Sequence, residues 1–112
     1  RFGVFGNVRA RGYEKLAGTS YDLVLNCTSA SLHNQVPPIP GSVFAAGCTA
    51  YDMVYATHGN TPFLDMARDC GAARAVDGLG MLVEQAAESF LIWRGVRPDT
   101  RPVLDALRAA AL

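Results

Sequence analysis

The sequence predicts an α/β layered domain built on a parallel sheet with helices on both faces. Two observations carry that expectation. Short apolar runs rich in β-forming residues alternate with helical segments, the strand–helix–strand–helix order that parallel sheets need. The clearest of these runs is nearly continuous instead of alternating, as in a strand covered above and below. With 112 residues, half of them apolar and 18% charged, there is material for one domain with a core.

Val8–Tyr13 reads as a short edge strand with Arg9 and Arg11 turned to water, and Gly18-Thr19-Ser20 breaks it. Tyr21–Cys27 is the buried-strand run, ending in polar Thr28-Ser29. Pro37, Pro38 and Pro40 make residues 33–42 an extended loop. Cys48–Tyr55 is a second strand. Thr61 caps a helix with Pro62 at its first position, Phe63, Ala67 and Cys70 follow at helical spacing, and Gly71 stops it. Ala72–Val76 is a short strand. Gly80–Trp93 is the strongest helix, apolar around most of its girth, so most of it is expected to pack; Gly95 ends it. Asp99 or Thr100 caps a last helix with Val103, Leu104 and Leu107 inward.

Ten basic against ten acidic side chains leave no positive field for nucleic acid, which argues against that partner. The apolar stretches are too short to span a bilayer, which argues against a membrane partner. Cys27, Cys48 and Cys70 are odd in number and widely spaced, and no secretory signal segment is evident; a reducing, cytoplasmic setting with buried thiols is expected. The first residue is Arg1, not Met, so processing, truncation or a partial record of a longer chain is expected.

In a parallel sheet, ligands bind outside the carboxyl ends of the strands. Here those ends are Asn26–Ser29, Met53–Thr57 and Asp77–Gly80. Gly78 and Gly80 form a lone G-x-G; Val83 stands where a third dinucleotide-binding glycine would be, so the pair reads first as a tight turn before a helix. Ser29 has no nucleophile elbow around it, and a polar strand end lining a crevice competes evenly with simple turn capping. His33, His58 and the cysteines lack zinc spacing, so no metal is expected. Asp52 and Asp77 are the notable carboxylates, more readily understood as acceptors for nearby backbone N–H groups than as acid–base groups. Gln85, on an apolar flank of its helix, is expected to be a buried amide in need of partners, for which a ligand hydroxyl, backbone or water would serve.

Taken in order, Asp22–Ala30, Pro37-Pro38-Ile39-Pro40, Tyr51-Asp52-Met53-Val54-Tyr55, Thr61-Pro62-Phe63-Leu64 and Asp77-Gly78-Leu79-Gly80-Met81-Leu82-Val83 through Gln85-Ala86-Ala87 resemble the motifs of shikimate dehydrogenases over about Tyr21–Leu107. The resemblance implies that residues 1–112 are the C-terminal part of an NADP-binding domain. The fold would be a partial Rossmann-like, doubly wound sheet lacking its first βαβ unit. It implies NADP-dependent reduction of 3-dehydroshikimate to shikimate. Met53 and Gly78 would contact the nicotinamide end of NADP, with Asn26, Thr28 and Ser29 beside them. Tyr55 and Gln85 would hydrogen-bond the substrate.

The family's catalytic Lys and Asp, its Ser-rich clamp and its G-x-G-G phosphate loop have no counterpart here. No catalytic residue is therefore assigned, and the chain alone is expected to be inactive. His58-Gly59-Asn60 is one residue longer than the common form. In the strand order 3-2-1-4-5-6 the segments present would be strands three to six. Val8–Tyr13 would then be separated from the rest by ~10 Å or more. The open edge of Tyr21–Cys27 is expected to drive self-association. The alternatives are an NAD-dependent quinate/shikimate dehydrogenase and a non-catalytic binding or assembly module on the same fold.

Overall fold

The computed structural model describes residues 2–56 and 58–110. Three parallel strands lie in chain order: β1 (Tyr21–Asn26), β2 (Phe44–Asp52) and β3 (Arg74–Val76). Helix α1 (Pro62–Asp69) joins β2 to β3, α2 (Leu79–Arg94) follows β3, and α3 (Arg101–Ala110) packs back along α2.

Local chemistry explains the helix ends. Thr61 Oγ1 accepts from the Leu64 N–H at 3.3 Å, and Pro62 starts α1 where its missing donor costs nothing. Gly95, at φ 71°, sends its N–H back to the Leu91 carbonyl and closes α2. The expected bounds of α2 shift by a single residue at each end.

The core forms where α1 lies on the sheet. Val43, Phe44, Cys48 and Ala50 meet Phe63, Leu64 and Ala67, all nearly inaccessible to water. The rings of Phe44 and Phe63 are 5.8 Å apart and tilted by 57°, a geometry worth ~1 kcal/mol beyond area burial. Residues in register share a face, so Val24, Ala50 and Ala75 line up beneath α1.

Four expectations need correction. Residues 8–12 form no strand; Tyr13–Lys15 is a single 3-10 turn, and the segment is exposed. A lone strand has no ladder to complete, and among the described residues none lies alongside. The β1 run is not covered on both faces: Leu23 and Leu25 are 56% and 55% exposed on the side away from α1. The second strand begins at Phe44, not Cys48, and ends at Asp52. It takes five steps from Phe44 to Thr49 while β1 takes two from Tyr21 to Leu23, a bulge relieved by Gly47 at φ 77°. Lastly, α2 buries only Leu79, Val83 and Ala87, leaving Phe90, Ile92 and Trp93 out; apolar composition all round had implied packing all round.

These open faces show in the dimensions. The radius of gyration is 16.4 Å, against ~13 Å for a compact domain of this length. The accessible surface is 7660 Å², against ~5900 Å² for a closed domain of this mass.

Candidate functional site

The carboxyl ends of the three strands are stitched into one surface. The Met53 N–H donates to the Asn26 carbonyl at 3.1 Å, continuing the β1–β2 ladder past Asp52. The Gly78 N–H donates to the Val54 carbonyl at 3.2 Å, tying the turn after β3 to the residues after β2. A methyl group on Gly78 would stand 2.1 Å from the Met53 carbonyl oxygen, so the close approach admits only glycine. Thus Asn26, Met53 and Gly78, far apart in sequence, form one continuous edge.

Behind that edge sits Asp52, with no exposed surface. Its Oδ1 accepts from Asn26 Nδ2 at 3.3 Å and the Val54 N–H at 3.1 Å. Its Oδ2 accepts from Ser31 Oγ and Thr61 Oγ1, each at 2.6 Å. A buried carboxylate needs such donors, and this one draws them from the end of β1 and the loop after it, the second residue after β2 and the cap of α1. Its expected role as an acceptor for local backbone N–H groups holds and widens, since three side chains join in.

Asn26 is also inward. Its Oδ1 accepts from the Thr28 N–H at 3.1 Å and Thr28 Oγ1 at 2.7 Å, while Nδ2 serves Ser31 and Asp52. Its amide is fully used, so what it offers the surface is the shape of the turn that presents Thr28 and Ser29, both exposed. Thr28 Oγ1 in turn accepts from the Ala30 N–H, so turn capping and surface display coexist there.

Met53 is 41% and Tyr55 50% exposed, and Gly78 is buried between the ends of β2 and β3. Gly80 faces open space in the first turn of α2, where the earliest N–H groups have no partner within the helix. Gln85 departs from expectation: it is exposed, and its Nε2 donates to the Leu82 carbonyl at 3.0 Å within its own helix. Met81 and Ile92 on the same flank of α2 are themselves exposed, so no buried amide results. Thr57 lies outside the described residues.

Asp77 is buried and bound by a residue that local sequence did not suggest. Arg108 of α3 donates from Nη1 to Oδ2 at 3.0 Å and from Nη2 to Oδ1, and the Leu79 N–H adds a bond at 3.4 Å. This pairing raises the Arg108 pKa above its usual value. Thirty-one residues separate the partners, beyond any local pattern.

The thiols divide differently from expectation: Cys48 is buried, and burial, aided by Asp22, pushes its pKa up, but Cys27 and Cys70 are exposed. Among the described residues no three His, Cys, Asp or Glu side chains gather as a metal site, and no helix is long and apolar enough to cross a membrane.

A parallel sheet with polar loops and a glycine turn grouped at its carboxyl edge defines the class: an α/β domain of the kind whose ligands bind outside the strand ends. Comparison with known proteins makes this specific. Residues 78–108 match the family model described as the shikimate 5'-dehydrogenase C-terminal domain. The chain is 54% identical over 109 residues to the shikimate dehydrogenase (NADP(+)) of Nitrosospira multiformis, covering 97% of this chain and 39% of that protein. It is 56% identical to the Chromobacterium violaceum protein of the same name over 107 residues, 96% of this chain and 39% of that one.

Among solved structures, an Ael1 enzyme from Pseudomonas putida superposes with a TM-score of 0.76 at 57% identity, covering 85% of this chain and 35% of that one. A shikimate 5-dehydrogenase from Thermus thermophilus, in complex with NADP(H) and shikimate, gives 0.66 at 33% identity over 81% of this chain and 34% of that one. The chain is thus similar to shikimate dehydrogenases over nearly its whole length, and it spans about two fifths of the length of the curated relatives it matches.

Proposed function

We propose that residues 1–112 are the C-terminal part of an NADP-binding domain and supply one wall of the crevice in which an NADP-dependent shikimate dehydrogenase interconverts 3-dehydroshikimate and shikimate. The observation that carries this reading is the joined edge of Asn26, Met53 and Gly78, set beside exposed Tyr55. The residues fit the group. Met53 offers a half-exposed, polarizable side chain to a flat ring, and Gly80 leaves open space at the first turn of α2, whose positive dipole end suits a carboxamide oxygen.

NADPH, when bound, supplies the hydride. The chain's own residues hold and orient: Met53 and Gly78 take the nicotinamide end, and Thr28 and Ser29, shaped by Asn26, flank it. The Tyr55 hydroxyl and the exposed Gln85 amide bind hydroxyls of the substrate. Proton transfer is not assigned to this chain. Its single lysine, Lys15, stands on an exposed 3-10 turn before β1 and belongs to none of the three strand ends. The phosphate cradle and acid–base pair belong to the remainder of the relatives' length. A reducing, cytoplasmic setting suits three free thiols.

Following NADPH absorbance with 3-dehydroshikimate should show no turnover by the 112 residues alone, and turnover once they are joined to the rest of their reading frame. Activity of the 112 residues alone, or none in the intact enzyme, would contradict the assignment.

The chain as it stands is also expected to self-associate. β1 is an edge strand with Tyr21, Leu23 and Leu25 exposed, and a second copy pairing along it would satisfy the free ladder groups and cover these side chains. Sedimentation at micromolar concentration should find dimers or larger species; a stable monomer would refute this.

A further inference from the structure

We infer that Arg108, on the last turn of α3, is a positioning residue that holds the two loops of the proposed crevice wall in register; this rests on the reading of that wall given above. Its guanidinium reaches two places at once. It bonds both oxygens of Asp77, whose side chain is wholly buried and whose Oδ1 also accepts from the Leu79 N–H, so the orientation of the Asp77–Leu79 turn is set through this carboxylate.

The same Nη1 lies where a methyl group on Gly59 would come within 2.9 Å. Gly59, at φ 68°, closes a turn onto the Ala56 carbonyl at 2.9 Å, just beyond Tyr55. One cation thus abuts the loop carrying Tyr55 and clamps the turn carrying Gly78. Between those two loops, the Gly78 N–H on the Val54 carbonyl is a direct strut, which the guanidinium reinforces from outside. The Arg108 side chain remains 40% exposed, so it is an outer brace, removed from the ligand surface. A planar, two-pronged guanidinium suits a bidentate hold, whereas lysine offers a single point.

The test uses Arg108→Met, Arg108→Lys and the double variant Asp77→Asn/Arg108→Met in two settings. In the 112-residue chain, amide exchange at Gly59, Gly78 and Leu79 should quicken in Arg108→Met while exchange in the β2 core stays slow. In the intact enzyme, KM for both shikimate and NADP+ should rise roughly ten- to a hundredfold, with kcat less affected, as expected of misplaced binding groups. Arg108→Lys should recover part of the loss.

The double variant removes the unpaired buried charge and should restore thermal stability without restoring KM. Recovery of both together would show a merely structural role and overturn the proposal, as would unchanged exchange and unchanged KM in Arg108→Met. A wild-type enzyme without shikimate dehydrogenase activity would instead sink the underlying reading, leaving the exchange data to judge the brace by itself.

Discussion

Asp52→Ala is expected to unfold the chain or bring it close to unfolding. Four donors converge on this fully buried carboxylate, from Asn26, Ser31, Val54 and Thr61. Removing the acceptor strands them. At 1–3 kcal/mol for each donor that water cannot reach, and allowing the Ser31 hydroxyl to turn outward, the loss should be about 3–5 kcal/mol. Domains of this kind have only ~5–15 kcal/mol to lose. The damage should spread, because the four donors sit on three separate segments that this carboxylate ties together.

Asp52→Asn should cost less, about 1–2 kcal/mol, because its carbonyl oxygen keeps two bonds and hydroxyls can rotate to accept from its amide. Urea unfolding followed by circular dichroism measures both. An Asp52→Ala midpoint close to that of the parent would show that the network is incidental.

Gly78→Ala should be the second most damaging change, and damaging in a different way. The backbone at Gly78 has φ −79° and ψ 2°, which alanine adopts readily, so dihedral strain is not the cause. The obstacle is the Met53 backbone, with its carbonyl oxygen 2.1 Å and its carbonyl carbon 2.7 Å from the new methyl group, and neither is a flexible side-chain end. The turn must lift off β2 and give up the bond to Val54. The expected cost is about 2–4 kcal/mol of stability. In the intact enzyme, kcat/KM should fall by roughly a hundredfold, since both ligand-facing loops lose their common footing.

Gly80→Ala is the matched control. Its methyl group meets nothing within 4 Å, and a helix gains from alanine, so stability should rise by about 0.5–1 kcal/mol. Equal unfolding midpoints for the two variants would disprove the close-approach explanation.

How much of this was legible beforehand follows from how far each signal reaches along the chain. Thr61-Pro62 and Gly95 set helix ends through contacts within four residues, and the sequence located them well. The grouping of Asn26, Met53 and Gly78 followed from a general rule of parallel sheets, which requires only that the strands be found. Failures came where a residue's state depends on partners elsewhere. Val8–Tyr13 has strand-like residues and, among the described residues, no neighbour to pair with; Gln85 lies on a flank where Met81 and Ile92 stay exposed. Nothing local marks Arg108 in its terminal helix, because its carboxylate lies thirty-one residues upstream. Asp52 was read through its backbone neighbours alone, as Ser31 and Thr61 reach it only in the fold.

The most direct test of the wall itself uses its three methionines as reporters, labelled with carbon-13 at their methyl groups. Met53 stands at the proposed nicotinamide position, Met66 of α1 packs against the core, and Met81 lies on the exposed side of α2. At millimolar NADP+, the Met53 resonance should move progressively while Met66 stays fixed, and Gly78→Ala should abolish the movement. A silent Met53, or a response centred on Met66, would mean that the cofactor does not sit against these strand ends.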